Sequence, residues 1–438
     1  MKKTAGSLAV KIRNRTARVG VIGLGYVGLP LAVEFSKRGF RTVGIDVDAR
    51  KVSILNRGES YIPDIPTEEV RPLIRKGLLR ATTHYEALHQ LDGVMICVPT
   101  PLRKTRDPDI SYIVAAAEAL AKHLHRQQVI ILESTTYPGT TREVILPMLE
   151  ATGLKVGKDF FLGFSPERID PGNQQFSTSS IPKVVSGITP ACRQAVALLY
   201  GQVIDKVIPV SSTDVAEMVK LLENTFRSVN IGLVNELALM CHRLGVDVWE
   251  VIEAAKSKPF GFMAFYPGPG LGGHCIPIDP LYLSWKAKIL GFESRFIEMS
   301  SQLNGHMPEH VVERLAELLN QRSKALKGSR ILILGVAYKK DVSDTRESPA
   351  VEIIHHLKRR GAHVQYHDPY VPVLKTDELS LRSVALRPHG VRAADCVVIV
   401  TDHEATNNDL VVKHARLIFD TRNALRRIGP NKGKIVRL

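Results

Sequence analysis

Mostly apolar blocks of five or six residues recur along this chain. They are Ala17–Ile22, Phe40–Ile45, Gly93–Val98 and Gln128–Leu132 early on, then Arg330–Leu334, Ala362–Tyr366, Cys396–Val400 and Arg416–Asp420. Continuous apolar runs, rather than alternating ones, mark strands buried on both faces, as in parallel sheets. Between them lie stretches with helical spacing, Val27–Lys37 closed by Gly39, and Ser348–Arg360. Strand, helix and strand within about thirty residues make a βαβ unit. Thr213–Gly245 keeps a helical pattern without proline for 33 residues. At ~1.5 Å per residue such a helix is about 50 Å long. It reads either as a spine between domains and a candidate dimer surface, or as a plain core helix. Lys256–Pro280, rich in glycine, proline and aromatics, reads as a loop.

These elements predict an α/β protein with two Rossmann-like, doubly wound domains joined by a long central helix and a small helical domain. The expected limits are a basic, solvated tail over 1–16, a dinucleotide-binding domain over 17–211, a central helical domain over 212–310 and a second Rossmann-like domain over 320–438. A length of 438 residues accommodates that many domains.

Composition narrows the function classes. An apolar fraction of 44% and a charged fraction of 24% are those of an ordinary globular chain. The sequence holds no uninterrupted apolar run of membrane-spanning length, and its first 18 residues lack the apolar stretch of a signal peptide. Five widely spaced cysteines, with no CxxC pair, argue for reduced thiols in the cytoplasm and against a zinc ribbon, so no metal is expected. The formal net charge of +15 raises nucleic acid as a partner, but the basic clusters are short and no RNP, RGG or C₂H₂ pattern accompanies them. A basic surface equally suits an enzyme whose substrate and cofactor are both phosphate-bearing anions.

Gly23-Leu24-Gly25-Tyr26-Val27-Gly28 follows a predicted strand and opens a predicted helix. Gly23 allows the tight turn, Gly25 allows backbone to approach a pyrophosphate, and Gly28 allows close helix–strand packing. Tyr26 and Val27 belong to the same turn, and the helix N-terminus favours an anion. Asp46, 18 residues beyond Gly28, is placed to accept hydrogen bonds from a ribose and to repel a 2′-phosphate. NAD is therefore expected rather than NADP, with Arg50 and Lys51 close enough to soften the preference. Thr100–Pro101 and Ser134–Thr136 end two further strands, where such sheets bind ligands.

Gly270-Leu-Gly-Gly-His-Cys-Ile-Pro-Ile-Asp-Pro280 surrounds Cys275 with glycine and proline, poor company for a core thiol and good company for a nucleophile. Cys97, Cys192, Cys241 and Cys396 read as small core residues. Lys220 and Asn224 are one helical turn apart and could stabilise an oxyanion, although on spacing alone a solvated polar stripe is the stronger reading. Tyr338, Lys339, Lys340 and Arg346 follow the strand at 330–334 and suit a diphosphate, or form a solvated charged turn.

Together GLGYVGLP, IDVD with Lys51, CVPTP, ESTTYPGT, SPER, AEMVKLLENTFR, GPGLGGHCIPIDP and YKKDVSDTRESPA resemble the UDP-sugar 6-dehydrogenase family from about Ala17 to Asn423. The resemblance implies four-electron oxidation of a sugar C6 alcohol to a carboxylate, using two NAD⁺, in a homodimer. It implies that Cys275 forms a thiohemiacetal and then a thioester, that Lys220 and Asn224 stabilise oxyanions, and that Asp279 holds or activates a water. Glu167 would assist hydrolysis and Thr135 would position the water. Ser134, Thr135 and Arg346 would face NAD. Glu167, Arg168, Lys220, Asn224, Tyr266, Gly270, Tyr338, Lys339 and Arg422 would meet the UDP-sugar. Family membership also suggests precursors for a surface polysaccharide. The run Glu167–Gly172 and the stretch Lys258–Pro267 depart from members that use UDP-glucose and are similar to those using UDP-N-acetylhexosamines, UDP-N-acetylglucosamine first, with the galactosamine and mannosamine isomers and UDP-glucose as alternatives. A non-catalytic nucleotide-sugar-binding protein is the alternative of another class.

Overall fold

A computed structural model describes residues 4–62, 64–103, 105–168, 178–428 and 434–438, with side chains from residue 8 onward. The chain divides into two compact units. One comprises Met1–Glu223 with Trp285–Gly291, the other Asn224–Ser284 with Phe292–Leu438. The segment 212–310 is thus shared between the two.

The first unit is built on six strands, β1 (Arg18–Ile22), β2 (Arg41–Ile45), β3 (Leu79–Thr82), β4 (Gly93–Ile96), β5 (Val129–Leu132) and β6 (Phe161–Phe164). They pair in parallel in the order β3-β2-β1-β4-β5-β6, the Rossmann arrangement with its reversal between β1 and β4. The register places Ile22 beside Ile45 and Ile96, so these strands end together. Alternate residues feed opposite faces: Val129 and Ile131 join one apolar cluster, Ile130 and Leu132 another. That double coverage is why the strands read as unbroken apolar runs. A further parallel pair, β7 (Lys183–Val185) and β8 (Val207–Pro209), flanks this unit's sheet.

The basic tail expected at the N-terminus is instead a helix, Thr4–Arg13, in which Leu8 and Ile12 are buried in the first unit's core. The charges drew the reading away from an amphipathic spacing of four that hides two apolar side chains. Lys11 of this helix pairs with Asp92 at 2.7 Å.

The second unit carries β9 (Arg330–Leu334), β10 (His363–His367), β13 (Cys396–Ile399), β14 (Ile418–Asp420) and β15 (Ile435–Arg437), parallel in the order β10-β9-β13-β14-β15. A hairpin of β11 (Val373–Lys375) and β12 (Ser380–Arg382) lies between β10 and β13 in sequence. Ile331 and Ile333 pack on one face, Leu332 and Leu334 on the other. Long helices complete this unit, Arg295–Asn320 and most of Thr213–Leu244. The latter matches the expected helix to within one residue at its end. Among the described residues no helix is long and apolar enough to cross a membrane.

Candidate active site

In the first unit most of the singled-out residues lie at or just beyond the carboxyl ends of β1, β2, β4, β5 and β6, while Lys220 lies on the helix Thr213–Leu244. Gly23 has φ +90°, and a Cβ there would lie 2.5 Å from the Cys97 carbonyl oxygen. A Cβ on Gly28 would overlap the Gly23 carbonyl, so the helix Gly28–Lys37 starts against the strand because that residue has no side chain. A Cβ on Gly25 would meet nothing within 4 Å, leaving its backbone face open for a ligand. Tyr26 and Val27 are half-buried against the core beside it.

Asp46 is buried and receives the Leu24 N–H at 2.8 Å, the Asp48 N–H at 2.9 Å and Lys51 Nζ at 3.4 Å. A carboxylate offers about four acceptor sites, so capacity remains for a ribose hydroxyl. Lys51 meets Asp46, whereas the exposed Arg50 folds back on Asp48. These donors and acceptors fit a dinucleotide with an unphosphorylated ribose. Thr100 is buried near the end of β4, with Pro101 half-buried after it. The Ser134 hydroxyl donates to the carbonyls of Ile96, at 3.2 Å, and Val98, at 2.8 Å, tying the loop after β5 to that after β4. Thr135 beside it is half-buried.

Glu167 follows β6 and accepts the Arg168 N–H at 2.7 Å and Lys183 Nζ at 3.1 Å. Burial opposes its ionisation, but the Lys183 charge, a hydrogen bond from Glu133 and the charge of Lys220 prevail and hold its carboxyl below the usual range. The Arg168 guanidinium is committed to the Pro182 carbonyl and to Glu223. The rest of the run read for substrate preference, Ile169–Gly172, lies outside the described residues. Sequence reasoning missed Glu217. It accepts the N–H groups of Gly139 and Thr141, at 2.6 and 2.9 Å, and the Thr141 hydroxyl, and so anchors the segment after Thr135. Burial pushes Glu217 up to about 7.

In the second unit two predicted loops meet. Gly272 and Gly273 run against Tyr338: a Cβ on either would lie 2.7 Å from that side chain, and Gly273 adopts φ +83°. The Gly273 N–H donates to the Arg346 carbonyl at 3.1 Å. Cys275 therefore sits on a loop held against the turn that carries Tyr338, Lys339 and Arg346. It is half-exposed, whereas the other four cysteines are buried. Its carbonyl accepts the Asp279 N–H at 2.8 Å, where the helix Asp279–Ile289 begins. Asp279 is 1% exposed and accepts Asn224 Nδ2 at 2.6 Å. One amide N–H of Asn224 is thus committed to Asp279, and an amide carries two. Lys220, one turn earlier on the same helix, is also buried.

The glycine loop is further anchored by polar contacts. The Gly268 N–H donates to Asn235 at 2.9 Å, and Asn235 in turn donates to Asn304 at 2.8 Å. A Cβ on Gly268 would lie 2.6 Å from an Arg422 nitrogen, and Arg422 donates to the Val400 carbonyl at 2.9 Å. Burial lowers the Arg422 guanidinium to about 10. A Cβ on Gly270 would lie 3.3 Å from the Pro308 ring. Tyr266 is partly exposed, stacks on Trp249 and donates to Glu253 at 2.7 Å. Lys256 reaches the Tyr266 hydroxyl, and Lys258 lies over the Phe260 ring.

The support behind Tyr338 and Lys339 also escaped sequence reading. Buried Asp368 accepts the N–H groups of Val336 and Ala337 and the His403 ring at 3.0 Å. His403 Nδ1 accepts the Asp341 N–H at 2.9 Å, which makes Nε2 the donor to Asp368. A visible signal was the His-Asp-Pro ending β10 and the Thr-Asp-His after β13.

Three family models cover the chain: the NAD binding domain of the UDP-glucose/GDP-mannose dehydrogenase family matches residues 17–204, its central domain 214–306 and its UDP binding domain 332–427. The chain belongs to this family. It is an NAD-dependent UDP-sugar dehydrogenase. A UDP-N-acetyl-D-glucosamine 6-dehydrogenase of Pseudomonas aeruginosa is 37% identical over 89% of this chain and 92% of its own length. An NDP-N-acetyl-D-galactosaminuronic acid dehydrogenase of Ralstonia solanacearum is 33% identical over 94% and 97%. The solved structure of a UDP-D-ManNAc dehydrogenase from Pyrococcus horikoshii superposes with a TM-score of 0.87 at 33% identity, over 96% of this chain and 98% of that one.

Proposed function

We propose that this dehydrogenase oxidises the C6 alcohol of UDP-N-acetylglucosamine to the uronic acid through covalent attachment to Cys275. The observation that carries the covalent step is the contrast among the thiols: Cys275 alone is partly exposed, on a glycine loop braced by Tyr338 and Asp279. The substrate choice is supported by the Pseudomonas relative and by the Lys258–Pro267 stretch. The structural likeness to the Pyrococcus enzyme supports UDP-N-acetylmannosamine as the second choice.

Bound NAD supplies a hydride acceptor, used twice per sugar. The Cys275 thiol adds to the C6 aldehyde, and oxidation of the resulting thiohemiacetal leaves a thioester. Water then adds to the thioester carbonyl and Cys275 leaves as the thiol. Lys220 and Asn224 stabilise the oxygen that gains negative charge in these steps. Asn224 also keeps Asp279 oriented to hold a water, and Thr135 and Glu167 serve the hydrolytic step. Tyr266, Gly270, Tyr338, Lys339 and Arg422 bind the UDP-sugar, and Arg346 faces the cofactor.

A homodimer belongs to the same reading. Val215, Met218, Leu222, Phe226, Leu233, Met240 and Leu244 are exposed on one long helix at spacings of three, four or seven. A stripe of that kind suits pairing with a second copy. The experiment for the chemistry is trapping: denaturing the enzyme during turnover with radiolabelled sugar nucleotide is expected to leave label on Cys275. Stoichiometric label on another residue would overturn the assignment.

A further inference from the structure

Behind Glu167 lies a cluster that the reaction scheme does not use. Lys183, on β7, contacts Glu133 Oε2 at 3.0 Å and Glu167 Oε2 at 3.1 Å. The side chains of Glu133, Glu167 and Lys183 are 0%, 6% and 7% exposed. Two carboxyls therefore share Lys183 away from water, and of the two Glu167 also feels the charge of the buried Lys220. Glu167 is the better-served anion, because it also receives the Arg168 N–H and feels Lys220. Glu133 Oε1 is fully buried with no donor beside it. A buried carboxylate oxygen without a donor favours the neutral acid, and a proton on Glu133 hydrogen-bonds the Glu167 carboxylate.

We propose that Glu133 is a positioning residue that stores a proton for Glu167 above Lys183. This rests on the proposed role of Glu167 in hydrolysis. The other groups facing the cluster are few. Lys183 also lies over the Tyr200 ring at 5.1 Å, and the buried Cys97 thiol is raised by burial and by both carboxylates. Burial raises Glu133 to about 8, and the neighbouring Glu167 carboxylate adds to it. Such a pair titrates as one unit. Below that pH the pair holds one proton and Glu167 is a fixed, weakly basic carboxylate. Above it the pair is doubly negative over Lys183 and accepts a proton from the water attacking the thioester, as Cys275 leaves.

The test uses the full-length enzyme and the variants Glu133→Gln and Glu133→Asp. Infrared difference spectra across a range centred on about pH 8 read the proton itself. A protonated-carboxyl band is expected in wild type, lost as pH rises, absent in E133Q and kept in E133D. The rate of thioester hydrolysis should rise through the same range in wild type and E133D. In E133Q it should be flat, with NAD⁺ affinity and melting temperature unchanged. A band or rate limb that persists in E133Q overturns the inference, as does a wild-type spectrum without the band. If the band behaves as expected but no UDP-sugar is oxidised, the shared proton stands and the functional reading is what fails.

Discussion

Gly272 and Gly273 show how much of this enzyme is decided by single positions, since a methyl group on either would drive the glycine loop off Tyr338. Cys275 itself is the sharpest test at this scale. Cys275→Ala or Cys275→Ser should lower turnover by about a thousandfold or more, as loss of a covalent nucleophile does, while calorimetry shows NAD⁺ and UDP-sugar still bound. Turnover near wild type in C275A would exclude the covalent route. Asp46 is the corresponding test for the proposed cofactor contact. Asp46→Ala removes a charged acceptor, an effect of roughly 1.5–3 kcal/mol, so NAD⁺ affinity should fall about 10- to 100-fold and discrimination against NADP⁺ should relax. Unchanged preference would place the ribose contact elsewhere. The sequence motifs pointed to both residues because each sits in a run whose chemistry is local. Glu217 was illegible for the opposite reason: it acts on backbone groups tens of residues away and no local pattern records that, whereas Asp368 and His403 left only the short polar signals after β10 and β13.

Among the elements, most strands buried on both faces were readable, and their observed limits lie within two residues of the expected ones. The strands β3, β6 and β15 went unseen; Leu79–Thr82 carries an exposed Arg80, and Ile435–Arg437 is a short strand only partly buried. The N-terminal helix was not expected because Leu8 and Ile12, its two buried residues, are interspersed with Lys11 and Arg13 in a basic stretch. Its burial predicts a measurable contribution: Leu8→Ala should destabilise the enzyme by about 2–5 kcal/mol, the range for core leucines. Chemical denaturation monitored by circular dichroism would register it, and a loss below about 0.5 kcal/mol, typical of surface sites, would contradict the packing. On the long helix, Leu233→Glu places a charge in the exposed apolar stripe. On the proposed pairing, sedimentation should show a dimer for wild type and a monomer for this variant. A dimer of unchanged stability would move the interface to another surface.

At the scale of the whole molecule, two parallel sheets of Rossmann type occupy one chain, with a dinucleotide motif after the first strand of one and a cationic turn after the first strand of the other. The strand orders follow from the same physics of buried parallel sheets, and the family match covers both. In the proposed scheme one active site carries the sugar through two oxidations. That scheme is tested most directly by counting NADH formed per sugar consumed, with UDP-N-acetylglucosamine, UDP-N-acetylmannosamine and UDP-glucose compared side by side. Two NADH per sugar, with the fastest rate on UDP-N-acetylglucosamine, is the predicted result. One NADH per sugar, with an aldehyde accumulating, would contradict it.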